Sequence, residues 1–214
     1  MAVLETVLNL TSFRDADDKV IPRRKVGKIL EAGRNTPSPG NVQALEFIVV
    51  EDQHKKEVIS KVTDDKRFSD APTSIVILGD IQRMKRRVGE KHSEQFANAE
   101  AAAAAQNMRL VAQEEELSSI WVTGFDQDFL GEQLSVPTGK EPLAVVGLAY
   151  TQKPQSQSVK FGMNEVCFYD RYGNQVDSVF DGVHWKGLRE NSEIYGKKYR
   201  GLKEKLAEKL RKHL

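Results

Sequence analysis

Thr36-Pro37-Ser38-Pro39-Gly40-Asn41-Val42-Gln43-Ala44-Leu45-Glu46-Phe47-Ile48-Val49-Val50 joins a loop of turn-forming residues to a run rich in β-branched and aromatic side chains. The run at 45–50 predicts a strand. In the loop, the prolines fix φ, Gly40 permits a close approach, and Ser38, Asn41 and Gln43 place donors and acceptors beside the strand end. Such a loop can grip a planar ligand with polar edges. The same residue types also make a plain helix-to-strand connection.

Working outward, apolar runs at 74–79, 118–124 and 143–150 predict three further strands. Stretches with helical periodicity lie at 22–32, 55–62 and 93–116. Strands alternating with helices imply a central sheet covered by helices. The longest helix carries Ala97, Ala99 and the row Ala101 to Ala105, small enough to let a neighbouring helix or a second subunit approach closely. Alanine is also simply the best helix former. Residues 187–214 place Leu188, Tyr195, Tyr199, Leu202, Leu206, Leu210 and Leu214 on one apolar stripe, with Lys, Arg and Glu opposite. That helix is expected to lie on its own core or on a second subunit.

A chain of 214 residues without a Pro/Ser/Gly-rich linker predicts one structural unit, a domain at 1–174 with an extension at 175–214. Its 32 basic and 31 acidic side chains nearly cancel, so no global field favours nucleic acid or an anionic membrane. Cys167 is the single cysteine, the first residues lack a secretory pattern, and no apolar run is long enough to span a bilayer. The expected location is cytoplasmic, with no nucleic-acid or membrane partner. His54, His92, His184 and His213 are too scattered for metal-ligand spacing, and no metal site is expected. Dinucleotide-binding glycine fingerprints, phosphate-binding Gly-Lys loops and serine-nucleophile elbows are absent from the sequence. Any chemistry is therefore expected to be carried by a bound cofactor rather than by a catalytic side chain.

Two further elements suit a ligand. Ser12 and Arg14 can offer several donors to one phosphate, although an exposed Ser and Arg near a terminus are ordinary. In Ile120-Trp121-Val122-Thr123-Gly124-Phe125-Asp126 the glycine lets a flat ring lie against the backbone, or simply ends a strand.

In order and spacing, these pieces resemble the nitroreductase family of flavin mononucleotide (FMN) enzymes from about residue 10 to 174. The resemblance rests on Ser12-x-Arg14, Pro37-Ser38-x-x-Asn41-x-Gln43 before Phe47-Ile48-Val49-Val50, and Asp70-Ala71-Pro72. It continues through Ala105-Gln106-Asn107-Met108, Gly124-Phe125-Asp126 and Phe168-Tyr169-Asp170-Arg171-Tyr172-Gly173. It implies an α+β fold of three layers, α/β/α, with a central mixed sheet, assembled as a homodimer with the cofactor in clefts between subunits. By the same resemblance Ser12, Arg14 and Lys160 would contact the FMN phosphate. Pro37, Ser38, Asn41 and Gln43 would form the loop that borders the ring and ribityl chain from the other subunit. Arg67 would stabilise negative charge at the pyrimidine edge, and Thr123 and Gly124 would offer backbone N–H groups near N5 and O4. The implied activity is hydride transfer from NADH or NADPH through flavin N5 to a small electron-poor acceptor such as a nitroaromatic or a quinone. A flavin-dependent dehydrogenation or dehalogenation, or a non-catalytic flavin-binding protein, are the alternatives.

Departures from the family pattern are specific. Leu10 and Thr11 stand where basic or polar residues are usual, which predicts looser flavin retention. Ala44-Leu45 replace a frequent Pro-Trp pair, and Glu116 occupies a position that is commonly glycine.

Overall fold

The computed structural model describes residues 3–155, 160–161 and 163–174. The chain divides into two units, residues 1–157 and 158–214. In chain order the first carries α1 (Val3–Asn9), β1 (Ser12–Phe13), α2 (Arg23–Arg34), β2 (Leu45–Val50), α3 (Gln53–Thr63), α4 (Arg67–Asp70) and β3 (Thr73–Asp80). It continues with α5 (Ile81–Val88), α6 (Ser93–Glu114), β4 (Ser118–Val122), α7 (Gln127–Gln133), β5 (Lys140–Ala149) and β6 (Pro154–Gln155).

Strand β3 is buried at every residue, as an apolar run covered on both faces must be. The main sheet has the order β2-β3-β5-β4. Alternation along the strands sends successive side chains to opposite faces. Ile75, Ile77, Val146 and Leu148 pack with Val26 and Ile29 of α2, Met84 of α5 and the alanines of α6. Val76, Leu78 and Val145 pack with Ile59 of α3, Phe68 of α4, Leu130 of α7 and Phe13 of β1. Two cores on the two faces of one sheet make the three-layer α+β architecture that the sequence implies.

All pairings among the described strands of this sheet are antiparallel, where a mixed sheet is expected from the sequence. The physical reason lies in the connections. Helices α3 and α4 return the chain to the end it left, so Val50 pairs with Ser74. Only α5 and α6 cross the sheet, taking the chain from β3 to β4, and β5 then inserts between those two strands. Strand-helix alternation alone cannot distinguish a return from a crossover.

Helix ends follow local chemistry. Asp52, Asp80 and Asp126 cap α3, α5 and α7 by accepting from the amides of Lys55, Arg83 and Phe129. Helix α6 stops at Glu114, two residues before the sequence-based boundary. Beyond it, the Leu117 and Glu116 amides donate back to the Ala112 and Gln113 carbonyls at 2.8 and 3.2 Å. Glu116 therefore takes the left-handed position of a Schellman cap, at φ 63°. A glycine there would be unstrained, which accounts for the oddity of a glutamate at that position. The alanine row faces inward through Ala97, Ala101, Ala104, Ala105 and Ala112, and α2 packs so closely that a Cβ on Gly33 would collide with Met108.

In the second unit α8 (Met163–Val166) precedes a turn. There the Tyr169 amide donates to the Asn174 carbonyl at 2.9 Å, and the Phe168 and Tyr172 rings lie tilted against each other at 43° with centroids 4.5 Å apart. The amphipathic stretch at 187–214 lies outside the described residues. Among the described residues no helix is long and apolar enough to cross a membrane, and no group of three or more His, Cys, Asp or Glu could hold a metal ion.

Candidate functional site

The residues singled out from the sequence fall into two groups in the first unit. One gathers around β1. Phe13 is fully buried against Phe68 and Ile120, which fixes its neighbours Ser12 and Arg14 beside α4 and β4. Arg67 Nη1 donates to the Phe13 carbonyl at 3.3 Å, so this arginine reaches the same segment. Asp65 grips its guanidinium through Nε at 2.9 and 3.1 Å and Nη2 at 2.6 Å. That contact holds the Asp65 carboxyl below the usual range and raises Arg67 above its own. Arg14, by contrast, is exposed and has no hydrogen-bond or ion-pair partner among the described residues. Thr123 and Gly124 follow β4 and are exposed, with Gly124 at φ 74° and nothing within 4 Å of where a Cβ would stand.

The second group is the loop before β2, at the far edge of the sheet. Gly40, Asn41 and Gln43 take left-handed φ values of 55°, 57° and 51°, a conformation that costs energy at non-glycine residues. The loop is stitched internally, with the Ser38 hydroxyl accepting from the Gln43 amide at 3.1 Å and Gln43 Nε2 donating to Asn41 Oδ1 at 3.0 Å. It is clamped from outside by α5, where Arg83 donates to the Gln43 carbonyl at 2.7 Å and Arg87 to the Gly40 carbonyl at 3.1 Å. Arg83 also pairs with Glu46 and Asp80. From α6, Asn107 Nδ2 donates to Thr36 Oγ1 at 3.1 Å, and Thr36 is buried. Pro37 and Asn41 themselves are exposed.

With β3 and β5 between them, the edge strands β2 and β4 stand three interstrand spacings apart, roughly 14 Å. The loop packs toward the core under α2, α5 and α6, whereas β1 and α4 belong to the opposite face. A single first unit therefore does not bring the two groups to one point. Lys160 is exposed and belongs to the second unit.

Arg83, Arg87 and Asn107 are supporting residues that the sequence did not mark as such. Arg83 and Arg87 sit one helical turn apart on a short basic helix, a pattern that ordinarily reads as a solvated face. Asn107 lies within the quoted Ala105-Gln106-Asn107-Met108 stretch, so its position, though not its contact, was visible.

The three-layer α+β architecture thus carries an unengaged arginine at one edge of the sheet and a strained polar loop at the other. A family model described as the nitroreductase family matches residues 10–65 and 55–150. The chain belongs to the nitroreductase family. It is 27% identical over 155 residues to a protein of Methanothermobacter thermautotrophicus provisionally named NADH dehydrogenase/NAD(P)H nitroreductase, covering 70% of this chain and 78% of that one. A nitroreductase family protein from Clostridium difficile 630 superposes with a TM-score of 0.67 at 26% identity, covering 80% of this chain and 99% of the other. For B. megaterium NfrA2 the TM-score is 0.76 at 16% identity, over 93% and 85% of the two chains, a likeness of fold.

Proposed function

We propose that this protein is an FMN-dependent NAD(P)H oxidoreductase that acts as a homodimer on a small electron-poor acceptor such as a nitroaromatic or a quinone. The observation that carries the proposal is the division of the site into two groups, at opposite edges and on opposite faces of the sheet, each suited to one part of a flavin. A second copy supplies the missing half. Arg14 has a free guanidinium for a phosphate, and Gly124 leaves open space against the backbone, so the residues present fit the group. Helix α1 adds support: Val3, Leu4, Val7 and Leu8 are exposed on one side of it, as expected of a surface covered by a partner.

In this reading Ser12 and Arg14 hold the phosphate. Pro37, Ser38, Asn41 and Gln43 of the second copy border the ring and ribityl chain, and the Thr123 and Gly124 amides offer N–H groups to the ring. Arg67, oriented by Asp65, would place a cation near the pyrimidine edge of the bound ring. FMN held by these residues would supply the redox chemistry between NADH or NADPH and the acceptor. The chain's own task is to bind, orient and shape one pocket used by donor and acceptor in turn. A cytoplasmic location accords with the reducing supply of nicotinamide that this activity needs.

Leu10, where a basic residue is usual, removes a phosphate partner and favours a second reading as a flavin-binding protein without turnover. The visible spectrum of the purified protein, followed by anaerobic addition of NADH or NADPH, separates the two. Bleaching of bound flavin is expected. Flavin that neither nicotinamide bleaches would establish the second reading, and a protein that takes up no flavin would defeat both.

A further inference from the structure

Lys56 is buried with Val58 and Ile59 of α3, at 8% exposure. No carboxylate pairs with it among the described residues. Its Nζ donates instead to the carbonyl of Ala71, itself fully buried, at 3.0 Å. Lysine is rarely buried without a partner, and an apolar side chain of similar length would fill the space without desolvating an amine. Its presence points to the bond with Ala71.

Ala71 closes α4. Its amide donates to the Arg67 carbonyl at 3.0 Å, and Pro72 behind it brings no N–H to continue the helix. Ala71 is already extended, as a residue before proline tends to be. One turn earlier on α3, Gln53 Nε2 donates to the Ser69 carbonyl at 3.4 Å, so α3 holds two carbonyls at the end of α4. Gln53 is exposed, and the buried Lys56 makes the shorter contact. Two hydrogen bonds, Lys56 to Ala71 and Ala71 to Arg67, thus run in series from the core to the arginine. Beyond them the Arg67 guanidinium reaches the Phe13 carbonyl and the Asp65 carboxylate.

We propose that Lys56 is a positioning residue: by holding the Ala71 carbonyl it fixes the C-terminal end of α4, and through the Ala71–Arg67 bond it sets where the Arg67 cation stands against the flavin. The second half rests on the flavin reading given above; the first does not.

The test pairs hydrogen exchange of the backbone amides in the flavin-free full-length chain with the affinities of that chain for oxidised and for reduced FMN. Lys56→Met removes the donor and keeps an unbranched side chain. Lys56→Gln keeps a polar end that falls short of Ala71, and serves if the methionine variant does not fold. Lys55→Met is the control, since it removes a positive charge from the next position, on the exposed side of α3. In the Lys56 variants, exchange at the Ala71 amide accelerates roughly tenfold or more while β3 and β5 keep their protection. The ratio of reduced to oxidised FMN affinity falls about tenfold, a drop of about 30 mV in midpoint potential for a two-electron couple. Arg67→Ala lowers that ratio at least as far, and Lys56→Met added to it lowers the ratio no further. The control moves neither quantity. Unchanged Ala71 exchange in the Lys56 variants, or equal loosening of α4 and the sheet, overturns the anchor. An unchanged ratio despite faster exchange, a full further fall in the Arg67→Ala background, or the same fall in Lys55→Met overturns the link to Arg67. A protein that binds no FMN defeats the flavin reading and that link with it, and the exchange result still judges the anchor.

Discussion

Arg14→Ala isolates the phosphate-binding role from the fold. The side chain is exposed and partnerless among the described residues, so its loss removes no internal contact. The flavin-free variant should melt within about 1 °C of the parent, as surface changes away from such contacts do. A charge-assisted hydrogen bond to a phosphate contributes about 1.5 to 3 kcal/mol. At 1.36 kcal/mol per decade that weakens FMN binding roughly 13- to 160-fold. Quenching of flavin fluorescence, titrated at two ionic strengths, measures it. The variant should also lose part of the salt dependence, because a phosphate-facing charge is screened by salt. Unchanged affinity would refute the role of Arg14, and a parallel fall in flavin-free stability would show that the side chain serves the fold.

Other expectations follow from particular contacts. Asp65→Asn loses the grip on Arg67 and should cost about 1 kcal/mol at pH 7, discounted for partial exposure. Because the folded-state pKa of Asp65 is lowered from 3.8, this stability is present above the unfolded pKa and lost as pH falls through the folded one. Melting curves of parent and variant should therefore converge in acid. Glu116→Gly relieves the left-handed cap at φ 63° and should raise stability by about 0.5 to 1 kcal/mol in urea unfolding, as long as the Schellman bonds persist. Gly27→Ala, in an exposed helix position with nothing within 4 Å of the new Cβ, should stabilise by a similar amount, about 0.5 to 1 kcal/mol. A loss of stability would mean that the α2 surface is covered in the assembled protein.

Much of the sheet was legible because its strands are apolar runs, and β2 spans residues 45–50 as read. Strand directions were not, since a helical return such as α3–α4 and a crossover such as α5–α6 leave the same alternation in the sequence. Helix α5 escaped notice because only Ile81 and Met84 are buried in a short stretch crowded with Arg and Lys. Glu100 was hidden for the opposite reason: a lone acid among alanines suggests solvent, and only the packing of α6 places it inside. The candidate site was legible as motifs in order along the chain. Its separation into two edges was not, because it depends on strand order, which pairs β3 with β5 across a long intervening segment.

That separation supports the central claim, that each flavin is held by two chains. The most direct test mixes Arg14→Ala with Asn41→Ala subunits, each weak for FMN alone, and counts tight FMN sites after subunit exchange. If the two groups act across the dimer, half the dimers are mixed and each carries one intact site, so tight binding returns at about a quarter of the sites. If both groups serve one site within a single chain, every site keeps one defect and no tight binding returns.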